Sequence, residues 1–73
     1  MALGQVAQAA QVLELTREMF PASAPVANSL AEAYEQLGDR ERATALSQLV
    51  VEESPASEAG RASRERLDRL RRN

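Results

Sequence analysis

Residues 21–57 read PASAPVANSLAEAYEQLGDRERATALSQLVVEESPAS, a stretch that opens and closes on the same tripeptide, Pro-Ala-Ser, 34 positions apart. Pro21 stops whatever helix precedes it, Ser23 offers an N-cap, and Pro25 falls in the first turn of the next helix, where its missing N–H costs nothing. From there Val26, Ala27, Leu30, Ala31, Tyr34 and Leu37 share one face of a helix. Asn28, Ser29, Glu32, Glu35 and Gln36 make its outer face. Gly38-Asp39 is the sharpest turn in the chain: glycine supplies the left-handed residue after a helix end, and Asp39 caps the next helix with Glu41 in its first turn. That next helix carries Ala43, Leu46 and Val50 on one line, with Ala45 and Leu49 beside it, until Ser54-Pro55 ends it.

The period extends outward from this stretch. Sliding the chain by 34 positions sets residues 2–23 against 36–57, and eight of the 22 pairs are identical: Leu3/Leu37, Gly4/Gly38, Ala9/Ala43, Leu15/Leu49, Glu18/Glu52, Pro21/Pro55, Ala22/Ala56 and Ser23/Ser57. Internal repeats of this length signal stacked supersecondary units. On the N-terminal side, Val6, Ala9, Leu13, Thr16 and Phe20 form one apolar stripe and Val12, Leu15 and Met19 a second, so this helix is expected to pack on two sides. On the C-terminal side the apolar line is thin, with Ala59, Ala62 or Ser63, Leu67 and Leu70, and the helix reads as a lid with one dry edge. The expected fold is all-α, with four helices at about 5–20, 24–37, 40–53 and 57–71 arranged as antiparallel hairpins.

Composition agrees. The 73 residues include 14 Ala, 9 Leu and 5 Val but one Phe, one Tyr and no Ile, which favours helix over sheet. There is no Cys, His, Trp or Lys, so disulfides, the usual zinc ligand sets and imidazole-based catalysis are excluded. Ser23, Ser29, Ser54, Ser57 and Ser63 lack a base to activate them and read as caps and turns. Glu52 and Glu53 diverge around a helix and read as solvated acids. The three glycines stand far apart, so no phosphate-cradling loop exists. No catalytic, cofactor or metal site is expected, and a chain this small without a staple leans on a partner for stability.

Charge is uneven. Residues 1–57 carry three Arg against eight acids, whereas 58–73 carry six Arg against three acids. The basic tail offers Arg61, Arg64, Arg71 and Arg72 for an anionic surface or nucleic acid. Glu58, Glu65 and Asp68 are interleaved with them and no aromatic is present to stack on a base, which favours a solvated helix with internal ion pairs. No apolar run approaches the roughly 20 residues of a spanning helix. No basic block followed by an apolar one marks the N-terminus, and the sequence gives no compartment.

The period and its punctuation resemble the tetratricopeptide repeat, W-x2-L-G-x2-Y, then A-x3-F, then P. Leu30, Tyr34, the Gly38-Asp39 turn, Ala43 and Pro55 match that pattern; Ala27 stands for its Trp, Ala31 for its Gly and Ser47 for its aromatic. Small Ala31 and Ala43 suit a close helix crossing. Ala27 and Ser47 remove volume, so the stack should be loose there unless a neighbouring side chain moves in. The resemblance implies one helical module: 1–21 the second helix of an incomplete repeat, 22–55 a complete repeat, and 56–73 a capping or solvating helix, since Arg64, Glu65 and Asp68 stand where a repeat would carry Leu, Gly and Tyr. The segment FPASAPVANSLAEAYEQLGDRERATAL, residues 20–46, also looks like the single repeat appended to bacterial β-lactamase-like serine hydrolases, which implies an appendage of a larger protein.

The resemblance further implies a non-catalytic module for protein or peptide partners. Its concave surface would be led by Asn28, Glu32, Glu35 and Gln36, with Arg66 and Arg69 at the border. Glu32 stands where the family's basic clamp for a peptide carboxylate has a polar amide, so a groove of this sign would prefer a neutral or basic peptide. The plainer reading makes Glu32 and Glu35 the wet face of a helix. The phase of the chain carries another expectation, because its first helix corresponds to the second member of a pair. Val6, Ala9, Leu13 and Phe20, or the line Val12, Leu15 and Met19, would be left bare, and exposed stripes of that length mark interfaces. Self-association of the 73-residue chain follows, most simply as a two-fold dimer through the first helices, and in a longer parent protein the upstream chain would be the alternative cover for the same stripe.

Overall fold

The computed structural model describes residues 2–72, and the module boundaries at 1 and 73 lie outside them. Four helices follow one another: α1 (Leu3–Met19), α2 (Ala24–Leu37), α3 (Arg40–Glu53) and α4 (Glu58–Arg72). Each boundary has a local cause. Pro21 follows α1, whose last turn is closed by the Phe20 N–H donating to Thr16 O at 2.9 Å. Ser23 caps α2 by accepting from the Val26 N–H, with Pro25 in the first turn. Gly38 takes φ 81°, and the Asp39 N–H reaches back to Tyr34 O at 2.9 Å, the Schellman closure that a left-handed glycine permits. Asp39 Oδ1 then accepts from the Arg42 N–H at 3.2 Å and starts α3. Ser57 Oγ accepts from the Gly60 N–H at 2.9 Å while its hydroxyl donates to Ser54 O at 2.7 Å, which fixes the loop before α4.

The helices pack as consecutive pairs, α1 on α2, α2 on α3 and α3 on α4, and α4 also touches α2. The molecule is 32 × 32 × 18 Å, and a thickness of 18 Å admits two helix layers. The core has two parts. Val6 and Ala10 of α1 meet Leu30, Ala33 and Tyr34 of α2 and Ala43 of α3; Ala27, Val50 and Ala59 form a second cluster among α2, α3 and α4, with Leu46 packed against both. Alanine predominates because the helices cross closely.

Gly4, the counterpart of Gly38 in the 34-residue period, is not a turn. It lies inside α1, and Gly38 alone among the described glycines has positive φ. Gly38 is driven there by the end of α2 at Leu37, whereas no helix precedes Gly4 among the described residues.

Candidate functional site

The inner side of α4 is held by a polar cluster rather than by large apolar groups. Arg66 is 2% exposed, and Ser47 and Ser63 are fully buried beside it. One guanidinium nitrogen, Nη1, donates to Asn28 Oδ1 at 2.9 Å and to Ser47 Oγ at 3.2 Å, with Ser63 Oγ at 3.5 Å. The Ser63 hydroxyl also donates to Asn28 Oδ1, at 3.3 Å. Arg66 Nε lies 3.5 Å from Glu35 Oε1, an ion-pair distance without a hydrogen bond. Arg69 grips the same carboxylate from the rim, through Nε at 3.3 Å and Nη2 at 3.0 Å. The Arg69 hydrogen bonds, opposed by burial and reinforced by both guanidinium charges, hold the Glu35 carboxyl below its ordinary range. Burial pushes the Arg66 guanidinium down, with Glu35 the first group opposing it; an arginine nonetheless stays charged.

This arrangement explains Ser47. A serine at a position that the repeat pattern gives to an aromatic takes up less volume, and the buried Arg66 reaches it from α4 and satisfies its hydroxyl. The stack was expected to be loose there unless a neighbouring side chain moved in, and Arg66 is a side chain that does so. Arg66 was expected at the border of a groove and is instead interior, because the close α3–α4 packing carries position 66 inward together with Ala59, Ser63 and Leu67. Asn28 and Glu35 are bonded to α4 side chains and only half exposed. Ser63 is no cap or turn: it sits mid-helix and buried. The signal for this cluster was in the spacing. Ala59, Ser63, Arg66 and Leu70 follow one another at four, three and four residues, so an arginine occupies a core position of the helical stripe.

Beyond this cluster, α2 and α4 leave an open groove of about 290 Å³ lined by Pro25, Asn28, Ser29, Glu58, Ala59 and Ala62. Glu32 and Gln36 continue the same face of α2 and are exposed, and Arg69 stands exposed on α4. On the opposite side, Arg42 lies over the buried Tyr34 ring, its Cζ 5.5 Å from the centroid.

The structure separates the two stripes of α1. Val6 is buried and Leu13 half-buried under α2, which corrects the expectation that these two would be bare: their side of the helix is the one that α2 covers. Val12, Leu15 and Met19 are 62, 63 and 72% exposed, Phe20 is 57% exposed, and Ala9 is also open.

Among the described residues no group of His, Cys, Asp and Glu is arranged to hold a metal ion, and no helix is long and apolar enough to cross a membrane. The tetratricopeptide repeat profile matches residues 1–67. No curated protein and no solved structure matches the chain, and nothing in these comparisons bears on the likeness to the serine hydrolase appendage. With the match covering α1, α2 and α3 and running into α4, the chain belongs to the tetratricopeptide repeat family.

Proposed function

We propose that this chain is a non-catalytic binding module whose α2–α4 face takes an extended or helical segment of neutral or basic character from a protein partner. Family membership supports a protein-interaction role. The observation that carries the finer reading is the open groove between α2 and α4, with Glu58 at its edge and Glu32 exposed on the adjoining turn of α2. Arg61 is exposed one turn along α4 from Glu58, and Arg69, further along, is paired with Glu35. Glu32 and Glu58 are the carboxylates this face offers to a basic segment. In this reading residues 22–55 are the complete repeat, 1–21 its incomplete predecessor, and 56–73 the cap whose inner side Arg66 anchors.

The test is fluorescence anisotropy with a basic and an acidic peptide of equal length. The basic peptide is expected to bind more tightly, and Glu32→Ala with Glu58→Gln to weaken it several-fold, the scale of two rim charges at about 0.2–1 kcal/mol each. Binding indifferent to both changes removes the groove reading.

A second reading, self-association, is favoured by the bare line Val12, Leu15 and Met19 on α1. An anionic-surface role for α4 would rest on Arg61, Arg64, Arg71 and Arg72, which are exposed together with Glu58, Glu65 and Asp68, so the acids interleaved with them weaken it.

A further inference from the structure

The 34-residue period states what the bare face of α1 is built to meet. On α3, Ala43, Leu46, Leu49, Val50 and Glu53 lie toward α2, where Ala24 and Ala27 receive them. Thirty-four positions earlier stand Ala9, Val12, Leu15, Thr16 and Met19. Under its cover Ala43 is fully buried and Val50 is 2% exposed, while Ala9 is open and Val12 and Leu15 are more than 60% exposed. The two helices present one surface in one register, covered in α3 and uncovered in α1.

We propose that the occupant of this face is α1 of a second copy, the two helices running antiparallel about a two-fold axis that passes close to Val12 and Leu15. The proposal rests on the self-association reading and gives it a geometry. Two features of the stripe favour this occupant. First, Gln5, Gln8, Ala9, Val12, Leu15, Thr16 and Met19 include no charged side chain, so two copies can meet without burying a charge. Antiparallel pairing brings Val12 and Leu15, both exposed, together at the axis. Second, Glu18 flanks the stripe. Parallel pairing would align the two Glu18 carboxylates, whereas antiparallel pairing about position 13–14 separates them along the axis by about 13 Å, beyond the roughly 8 Å screening length at physiological salt.

A contact along one 17-residue helix is about 25 Å long. It lies at the small end of specific interfaces, so the dimer should be concentration-dependent rather than permanent.

The chain has no cysteine, which makes single-cysteine variants clean probes. Sedimentation equilibrium of the 73-residue chain from about 10 µM to about 1 mM should show the mass rise from 8.0 kDa toward twice that value. Leu15→Glu should abolish the rise while leaving the circular dichroism spectrum unchanged, since Leu15 is exposed. On mild oxidation Val12→Cys should form a disulfide-linked dimer. Met19→Cys should not, because its two copies stand about 17 Å apart along the axis and a disulfide needs Cα atoms within about 7 Å. A monomer at every concentration overturns both the self-association reading and this geometry. A dimer that survives Leu15→Glu, or that links through Met19→Cys as readily as through Val12→Cys, overturns the geometry and leaves self-association standing.

Discussion

Arg66→Ala and Arg66→Met together measure what the buried arginine contributes, and the structure gives different magnitudes for the two. Alanine removes two stem methylenes, about 1.6 kcal/mol at about 0.8 each. It also removes the charged donor of the 2.9 Å bond to Asn28 and of the 3.2 Å bond to Ser47, and hydrogen bonds to charged groups are worth about 1.5–3 kcal/mol. Glu35 is not orphaned, because Arg69 still holds it through two nitrogens, so the larger penalty for stranding a buried charge does not apply. Both variants also relieve the desolvation of the guanidinium, which offsets roughly one of the two bonds, so the expected loss for alanine is about 3–5 kcal/mol. Methionine loses the same bonds but keeps a stem beside Ser47, so its loss is smaller by about 1.6 kcal/mol, at about 1.5–3 kcal/mol. For a small domain with a urea slope near 1 kcal/mol per molar, the midpoint should fall by about 3–5 M for alanine and about 1.5–3 M for methionine. Urea titration followed by helical ellipticity reads both. Equal midpoints for the two variants would refute the claim that the stem fills the space left by Ser47, and a methionine variant weaker than the alanine variant would reverse the argument.

Gly60 and Gly4 should respond to alanine with opposite signs. A Cβ on Gly60 would collide with the Ser54 carbonyl oxygen and come within 3.0 Å of the Pro55 carbonyl group, so Gly60→Ala should cost about 1–3 kcal/mol despite its helix propensity. Nothing lies within 4 Å of the same atom on Gly4, and Gly4→Ala should raise stability by up to about 1 kcal/mol. Thermal melts of the two variants check the pair. Glu35 makes stability depend on acid: its carboxyl is held below its ordinary range, so its contribution is complete above the unfolded value of about 4.3 and is lost as pH falls through the folded value. Urea midpoints between about pH 6 and about pH 2.5 should drop more steeply for the parent chain than for Glu35→Gln, and parallel curves would show that the carboxylate is not coupled to folding.

The helix boundaries were legible because each is set by residues with few alternatives. Ser23 with Pro25, Gly38 with Asp39, and Pro55 with Ser57 act through their own backbones and hydroxyls, and all three boundaries stand where the sequence puts them. The start of α1 was less legible: the sequence puts it at about residue 5 and the helix begins at Leu3, because Gly4, unlike its counterpart Gly38, has no described helix ending before it and no reason to turn left-handed. The face of α4 was legible in its apolar members and missed in its arginine, because polarity was taken to mean exposure. A guanidinium can be interior when several acceptors converge on it, and those acceptors come from three helices that only the folded chain brings together. Asn28 and Glu35 look solvated on α2 alone, but both bond to α4 once it docks, and Asn28 at the same time lines the groove.

The two ends of the stack are finished differently, and this limits what association can produce. The outer side of α4 carries Arg61, Arg64, Glu65, Asp68 and Arg72, all exposed, and offers no apolar line to a neighbour. A helical stack needs polar outer faces where it ends to stay soluble, and the outer side of α4 is of that kind. The outer side of α1 supplies the opposite, with Val12, Leu15 and Met19 open. A stack with one sticky end and one charged end cannot join head to tail, because the α4 end has nothing that complements the α1 stripe. The contact available to two copies is the stripe on itself, an isologous contact that uses up the surface on both sides and closes. Association through α1 should therefore stop at two copies at any concentration, with no growth into filaments. A species heavier than twice 8.0 kDa that disappears in Leu15→Glu would mean that the α4 end also docks, and would contradict this polarity.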